Sequence, residues 1–220
     1  MKLRCLSILL CLLFFPAKIN AKKIVLKNYI IVVALESETS CSDLNKFAPV
    51  VYTGMGKVNA AIKLYDAILL YHPDLVINYG TAGAINNSNG LFHIDTFIQR
   101  DMDARALGVP RGVTPFSNQE LPLAKGIVLG TGDSFVTNQK KQLEGLDIQL
   151  NLVDMEGFAL MKVCKHHGIE FQCYKFVTDV SDSAASSKWK KSISSGIEVF
   201  KKMLCEKYGI SKLTKLIVQR

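Results

Sequence analysis

Residues 153–182, VDMEGFALMKVCKHHGIEFQCYKFVTDVSD, contain the signals that decide the fold. Apolar side chains recur at helical spacing from Ala159 to Cys164, which predicts a helix that ends near Gly168. The apolar run at 171–177 then predicts a buried strand, and the polar segment at 178–182 predicts a turn. We therefore expect an α/β fold with parallel strands, in which ligands bind at the carboxyl ends of the strands.

Two carboxylates in this stretch lie where functional groups of an α/β fold are expected. Asp179 follows the buried strand and Glu156 lies at the start of the helix, so both are expected on the same rim of the sheet. Two carboxylates that are held apart in different surroundings can do different work, one as an acid and one as an anion.

Length and composition predict one domain. The chain has 220 residues, of which 49% are hydrophobic, so it can bury a full core and lacks the bias of a disordered protein. Its 27 basic residues exceed its 19 acidic ones, but the lysine pairs are short and have no interleaved aromatic residues. Such pairs are typical of a solvated surface, and we predict no nucleic-acid partner.

The first 21 residues resemble a signal peptide. Lys2 and Arg4 form a basic start, residues 6–15 an apolar stretch, and Ala21 a plausible cleavage point. The apolar stretch is far shorter than the roughly 20 residues that span a bilayer, so we predict no stable membrane span. We expect a secreted or periplasmic protein whose domain covers residues 22–220, the alternative being an uncleaved tether.

Nothing in the sequence predicts a metal or a cofactor. The cysteines outside the signal are not in CxxC pairs, which argues against zinc and against a thioredoxin-type site; they are Cys41, Cys164, Cys173 and Cys205. The segment Gly54-Met55-Gly56-Lys57 fits neither a Walker loop nor a dinucleotide-binding motif. The disulfide state of the cysteines stays open.

Further strands and glycine-rich loops surround this stretch. Apolar runs predict strands at 29–34, 50–53, 73–78, 92–100 and 127–129, with glycine-rich loops at 79–84 and 130–135. Apolar residues at helical spacing predict one amphipathic helix over 188–208. Phe135, on the second loop, could stack on a flat ring or belong to the core.

Six segments together carry a family resemblance. They are ALESE at 34–38, TGMGKVNAA at 53–61, INYGTAGA at 77–84, TGDSF at 131–135, VDMEGFA at 153–159 and TDVSD at 178–182. In this order they resemble the purine nucleoside phosphorylase/uridine phosphorylase superfamily, most of all its hydrolytic branch, the 5'-methylthioadenosine/S-adenosylhomocysteine nucleosidases. The resemblance implies a single three-layer α/β/α domain with a mixed central sheet. It also implies a homodimer in which the loop from Asp101 to Pro115 lies near the partner's pocket.

The resemblance implies hydrolysis of the N-ribosidic bond of a purine nucleoside. By the family pattern Asp179 is the acid at purine N7, and Glu38 positions and activates the water. Glu156 would bind the ribose hydroxyls and stabilise the positive charge of the sugar, with Met155 packed against the ring.

Other positions are assigned to substrate binding in the same way. Thr81 takes the place of a water-holding serine, Phe135 that of the residue stacking on the purine, and Val136 that of a backbone contact to the base. Trp189, together with Leu35, matches apolar residues that line the pocket for the 5' substituent.

Two residues depart from the family pattern. Lys175, four residues before the proposed acid, stands where the nucleosidases have an arginine, and we assign it to substrate binding. A lysine keeps the charge but loses the planar fork of the guanidinium. Asp154 stands where the ribose motif has a glutamate. The identity of the preferred 5' substituent stays open.

Two alternatives remain at this point. A phosphorylase would need fixed positive groups for phosphate, whereas Glu36 and Glu38 occupy the first loop and Tyr79 precedes Gly80, so an anionic co-substrate would meet repulsion. An exported nucleoside-binding protein without turnover would be expected to lack the acid or the water-positioning carboxylate, and Asp179 and Glu38 are both present.

Overall fold

The computed structural model describes residues 28–39, 44–116 and 123–208. The predicted signal peptide and Cys41 lie outside these residues. Within them Cys164 and Cys173 are buried free thiols, and Cys205 is an exposed one.

One mixed sheet of eight strands forms the centre of the protein. The strands are β1 (Tyr29–Val33), β2 (Val50–Tyr52), β3 (Leu75–Ala84), β4 (Leu91–His93), β5 (Thr96–Gln99), β6 (Val128–Thr131), β7 (Leu152–Asp154) and β8 (Glu170–Asp179). Their main order is β2-β1-β3-β7-β6-β5, and β8 pairs with β3 in parallel and with β4 antiparallel. The carboxyl ends of β3, β6, β7 and β8 lead to the residues that the sequence singled out.

Helices cover both faces of this sheet. They are α1 (Lys57–Tyr71), α2 (Gln139–Gln142), α3 (Gly157–His167), α4 (Ala185–Ser192) and α5 (Ile197–Tyr208). Successive residues of β1 point to opposite faces: Ile30 packs with Leu64 of α1 and Leu160 of α3, whereas Ile31 packs with Phe200 of α5. The predicted three-layer α/β/α architecture is confirmed.

The main strands and the helix before Gly168 agree with the sequence predictions, but the predicted glycine-rich loop at 79–84 is wrong. These residues belong to β3, because β8 pairs with β3 along almost its whole length. The glycines allow side chains to approach the strand closely. A Cβ atom on Gly80 would lie 3.0 Å from Lys175 Nζ, and one on Gly83 would lie 2.3 Å from the Ser181 hydroxyl.

Two further predictions need correction. The strand predicted at 92–100 is two strands, because β4 pairs with β8 whereas β5 pairs with β6. The helix predicted over 188–208 is divided into α4 and α5; the break includes Gly196, where a Cβ would lie 2.2 Å from the Phe176 ring. The short helix α2 was not predicted at all.

Candidate active site

A cavity opens at the carboxyl ends of these strands. Among the residues that line it are eight of the predicted site residues: Glu38, Thr81, Phe135, Val136, Met155, Glu156, Asp179 and Trp189. They come from segments separated by up to 151 positions of the chain, counted from Glu38 to Trp189. The sheet order brings them together, since their strands are neighbours.

Glu38 is held by three hydrogen bonds on the cavity wall. It ends a 3-10 turn (Glu36–Glu38) directly after β1, and only 3% of its surface is exposed. Its Oε1 accepts from the Thr81 backbone N–H at 2.7 Å and from the Thr81 hydroxyl at 2.8 Å, and its Oε2 accepts from the Leu35 N–H at 3.0 Å. Three donors with fixed positions hold this carboxylate in one orientation.

Asp179, the last residue of β8, is buried with fewer partners. Its Oδ1 accepts from the Ser181 N–H at 2.9 Å, and its Oδ2 accepts from the Thr178 hydroxyl at 3.0 Å. Burial raises the pKa of Asp179, and these two hydrogen bonds only partly oppose the shift. Its surroundings therefore favour the protonated acid more than water does.

Glu156 precedes the first turn of α3 and faces the start of α1. Its Oε1 accepts from the backbone N–H of Gly56 at 2.8 Å. Gly56 has φ of 92°, a conformation that favours glycine, and this turns the N–H toward the carboxylate. Burial, and next the nearby charge of Asp154, raise the pKa of Glu156 to about 8, against the opposing effects of Lys175 and the Gly56 N–H.

Lys175 does not line the cavity, which corrects its assignment to substrate binding. Its ammonium is buried beneath the cavity and lies 2.9 Å from Asp154 Oδ2. Burial alone would lower the pKa of Lys175, but Asp154, Cys173 and Glu156 raise it above its ordinary value. Because the Lys175 ammonium is buried and paired with Asp154, it does not reach a substrate in the cavity.

The two departures from the family pattern thus form one ion pair. Asp154 also accepts from the Thr131 hydroxyl at 2.5 Å and from the Gly157 N–H at 2.7 Å. These bonds join β6, β7, β8 and the first residue of α3. The pair therefore fixes the start of α3, where Met155 and Glu156 face the cavity.

Aromatic side chains line another part of the cavity. Phe135 and Trp189 meet edge to face, with ring centroids 6.0 Å apart. The Trp189 indole N–H donates to the Thr81 hydroxyl at 3.0 Å, and Thr81 in turn donates to Glu38. Val136, which follows Phe135, is buried. A flat apolar ring fits such a lining.

Arg100 lines the cavity although the sequence analysis did not select it. Its guanidinium donates to the carbonyl oxygens of Gly130 and Gly132, and to the carbonyl and hydroxyl oxygens of Ser134. Burial lowers the pKa of Arg100. It supports the loop that carries Phe135. An isolated arginine after a strand gives no sequence signal, because its partners lie 30 or more positions away.

Carboxylates outnumber cations around the cavity. Within residues 28–39, 44–116 and 123–208, Arg100 is the one cationic residue that lines it, against the carboxylates of Glu38, Asp154, Glu156 and Asp179. Lys175 lies behind the wall. The described residues include no group of three His, Cys, Asp or Glu side chains placed to hold a metal ion, and no helix among them is long and apolar enough to cross a membrane.

Comparisons with known proteins agree with this geometry. The model of the phosphorylase superfamily matches residues 38–206. The 5'-methylthioadenosine/S-adenosylhomocysteine nucleosidase of Staphylococcus saprophyticus is 30% identical over 156 residues, which are 60% of this chain and 68% of the relative. The enzyme of the same name from Buchnera aphidicola is 29% identical over 168 residues, 65% of this chain and 71% of the relative.

Solved structures extend the likeness to the fold. The structure of the Helicobacter pylori 5'-methylthioadenosine/S-adenosylhomocysteine nucleosidase, a complex with a small ligand, superposes with a TM-score of 0.70 at 21% identity, covering 82% of this chain and 99% of the other. The chain therefore belongs to the phosphorylase superfamily and, within it, to the family of the 5'-methylthioadenosine/S-adenosylhomocysteine nucleosidases.

Proposed function

We propose that this protein hydrolyses the N-ribosidic bond of a purine nucleoside, either 5'-methylthioadenosine, S-adenosylhomocysteine or a related adenosine nucleoside. The observation that carries the proposal is the contrast between two carboxylates of one cavity. Asp179 has a raised pKa and two hydrogen-bond donors, whereas Glu38 has three donors that fix its orientation. The names of the family relatives fit the same activity.

In this mechanism Asp179 supplies the proton that the leaving base needs. The bond between purine N9 and ribose C1' breaks as the Asp179 proton passes to N7, so the base departs neutral. Positive charge develops on the sugar next to Glu156; that charge favours the ionised form of Glu156, whose carboxylate then stabilises it electrostatically. The raised pKa of Asp179 keeps a larger share of the acid protonated near neutral pH.

Glu38 completes the reaction at the sugar. It positions a water molecule with the help of Thr81 and accepts a proton as the water oxygen bonds to C1'. The hydrogen bonds from Leu35 and Thr81 hold its carboxylate in place. The products are the free base and the ribose derivative; Glu38 then releases its proton to solvent, and Asp179 takes one up from solvent.

The charge of the cavity favours water over phosphate as the co-substrate. Phosphate would find no free cation among the described residues that line the cavity, because the donors of Arg100 are already engaged by residues 130–134. The test is release of adenine from 5'-methylthioadenosine, S-adenosylhomocysteine and adenosine by residues 22–220, followed by chromatography with and without phosphate. Release without phosphate supports the proposal. Release only with phosphate identifies a phosphorylase, and binding without release identifies a binding protein.

We propose a homodimer in which the loop from Asp101 to Pro115 lies near the partner's cavity. In support, Leu107 in this loop is 66% exposed and Phe116 beside it is 99% exposed, as expected of residues that a second subunit covers. The double variant L107D/F116D should be monomeric by light scattering at a concentration where the unchanged protein is dimeric. A monomeric unchanged protein would contradict the proposal.

We also propose export of the chain to the periplasm or the medium. The basic, apolar and small-residue order of residues 1–21 supports this. Cell fractionation and amino-terminal sequencing of the expressed protein test it, since export with cleavage predicts a chain that starts at Lys22. Recovery of the full chain from the cytoplasm would contradict it.

A further inference from the structure

The hydroxyl of Ser181 is unsatisfied at the wall of the cavity. Ser181 is 1% exposed, it lines the cavity, and its Oγ has no hydrogen-bond partner. Buried hydroxyl groups in proteins are nearly always paired, and each exception needs a reason. The neighbouring hydroxyl of Thr178 follows the rule, as it donates to Asp179.

The backbone conformation of Ser181 is also unfavourable. Ser181 has φ of 53°, in the left-handed region that side chains other than asparagine and aspartate seldom adopt. Glycine would remove both this strain and the unpaired hydroxyl. An unfavourable arrangement at a cavity is a reason to look for a role in ligand binding.

The opposite wall is shaped to leave room for this hydroxyl. Gly83 faces it, and a Cβ there would lie 2.3 Å from Ser181 Oγ and 2.9 Å from Asp179 Oδ1. The hydroxyl and the proposed catalytic carboxyl therefore lie against the same backbone atom of β3. A substrate edge that reaches Asp179 comes close to Ser181 as well.

A purine presents two polar groups along the edge that carries N7. Adenine has the N7 acceptor and the 6-amino donor there, and 6-oxo purines have N7 and the O6 acceptor. A serine hydroxyl can accept a hydrogen bond from the 6-amino group of adenine and donate one to O6 of a 6-oxo purine. We propose that Ser181 is a specificity-determining residue that hydrogen-bonds the 6-substituent of the purine while Asp179 acts at N7. This inference rests on the proposed function for the position of the base.

The test compares Ser181→Ala with the unchanged protein on nucleosides that differ only at position 6. Adenosine and inosine carry a hydrogen-bonding 6-substituent, whereas purine riboside carries hydrogen there. We expect the ratio of kcat/KM for adenosine to that for purine riboside to fall five- to ten-fold, as for the loss of one hydrogen bond. The same ratio for inosine should fall similarly. The Tm without nucleoside should not fall, because alanine removes an unpaired oxygen.

Thr178→Val is the matched control. It removes a hydroxyl that contacts Asp179, so it should lower kcat/KM for all three nucleosides by the same factor. A Ser181→Ala variant that also loses the same factor on all three, or that loses nothing on any, overturns the inference.

Calorimetric binding of free adenine and free purine separates this inference from the proposed function. If the protein binds adenine without cleaving any nucleoside, the proposed hydrolysis fails. The inference about Ser181 then stands or falls on whether Ser181→Ala weakens the binding of adenine more than that of purine. A protein that binds neither base overturns both proposals.

Discussion

The cavity has two walls that keep a proton for different reasons. The first, which we term the sugar wall, contains Glu38, Asp154 and Glu156 with Lys175 behind them; the second, the base wall, contains Asp179 and Ser181 with Phe135. On the sugar wall the pKa of Glu156 rises because of burial and the charge of Asp154. On the base wall the pKa of Asp179 rises chiefly because of burial. The crowded carboxylates of the sugar wall therefore need the positive charge of Lys175 nearby. The pKa of Asp179, in contrast, is raised chiefly because burial excludes water.

Replacing the acid of the base wall should have the largest effect. In Asp179→Asn the side chain can still accept from the Ser181 N–H, but it has no proton to give to the base. We expect kcat to fall about 100-fold to 10,000-fold, as for other lost general acids, while nucleoside binding persists. Steady-state kinetics and calorimetry measure the two quantities.

Asp182→Asn is the control for this variant. Asp182 is three residues away, and its carboxylate pairs at the surface with Lys188 at 2.8 Å. Its replacement should lower kcat far less than that of Asp179, since Asp182 acts on Asp179 only through its charge and exposed ion pairs contribute little. Full activity of Asp179→Asn would remove Asp179 from the mechanism.

Removing the cation behind the sugar wall should be the next largest change. Lys175→Met leaves Asp154 buried without its counter-charge, and breaking a buried pair costs about 3–5 kcal/mol of unfolding free energy. Urea unfolding followed by circular dichroism measures this. Lys188→Met, which breaks the exposed pair with Asp182, should cost much less. Equal costs for the two variants would contradict the dependence of the sugar wall on Lys175.

The pH dependence of stability distinguishes the crowded wall further. Because the folded state holds the Glu156 proton up to about pH 8 and the unfolded state releases it near its ordinary pKa of 4.5, this group makes the unfolding free energy fall as the pH rises between these values. In Glu156→Gln that contribution is absent, so the decline should be smaller by about 1–3 kcal/mol. Unfolding at a series of pH values measures it.

The control here is Glu206→Gln on the exposed face of α5, where the carboxylate lies 3.8 Å from Lys202. This variant should follow the pH profile of the unchanged protein. A Glu156→Gln profile as steep as that of the unchanged protein would show that Glu156 does not hold the proton.

Local sequence signals predicted most elements but not the contacts that join them. Periodicity identified β1, α3 and the core of β8, because each depends on its own residues. The continuation of β3 to Ala84 depends on pairing with β8, 95 positions later in the register of Ala82 with Val177, and on pairing of Ala84 with Leu152 of β7. The division between α4 and α5 depends on the contact of Gly196 with Phe176. No window of local sequence contains such information.

The candidate site shows the same limit. The motifs identified the residues that line the cavity, but they placed Lys175 in it, because its position in the motif says nothing about its partner. The pairing with Asp154 and the support that Arg100 gives to residues 130–134 arise only when β5, β6, β7 and β8 lie side by side. The contacts of long charged side chains are the hardest to predict from sequence, since the charged group lies several bonds away from the backbone position.

Removing the hydrogen bond between Thr81 and Trp189 should have the smallest effect. In Thr81→Val, Glu38 loses one of its three donors and the Trp189 indole loses its acceptor. We expect a loss of about 1 kcal/mol of stability and a fall in kcat of roughly five- to ten-fold. The protein has one tryptophan, so a shift in its fluorescence emission reports this contact directly.

Thr39→Val separates the contact with Trp189 from a general loss of stability. The Thr39 hydroxyl donates to the Glu36 carbonyl at 2.8 Å and lies 2.9 Å from the Tyr52 hydroxyl, and Thr39 does not line the cavity. This variant should lose a similar amount of stability and leave the tryptophan emission unchanged. If both variants shift the emission equally, Trp189 senses the overall packing rather than Thr81, and the cavity is less ordered at this wall than the hydrogen bonds imply.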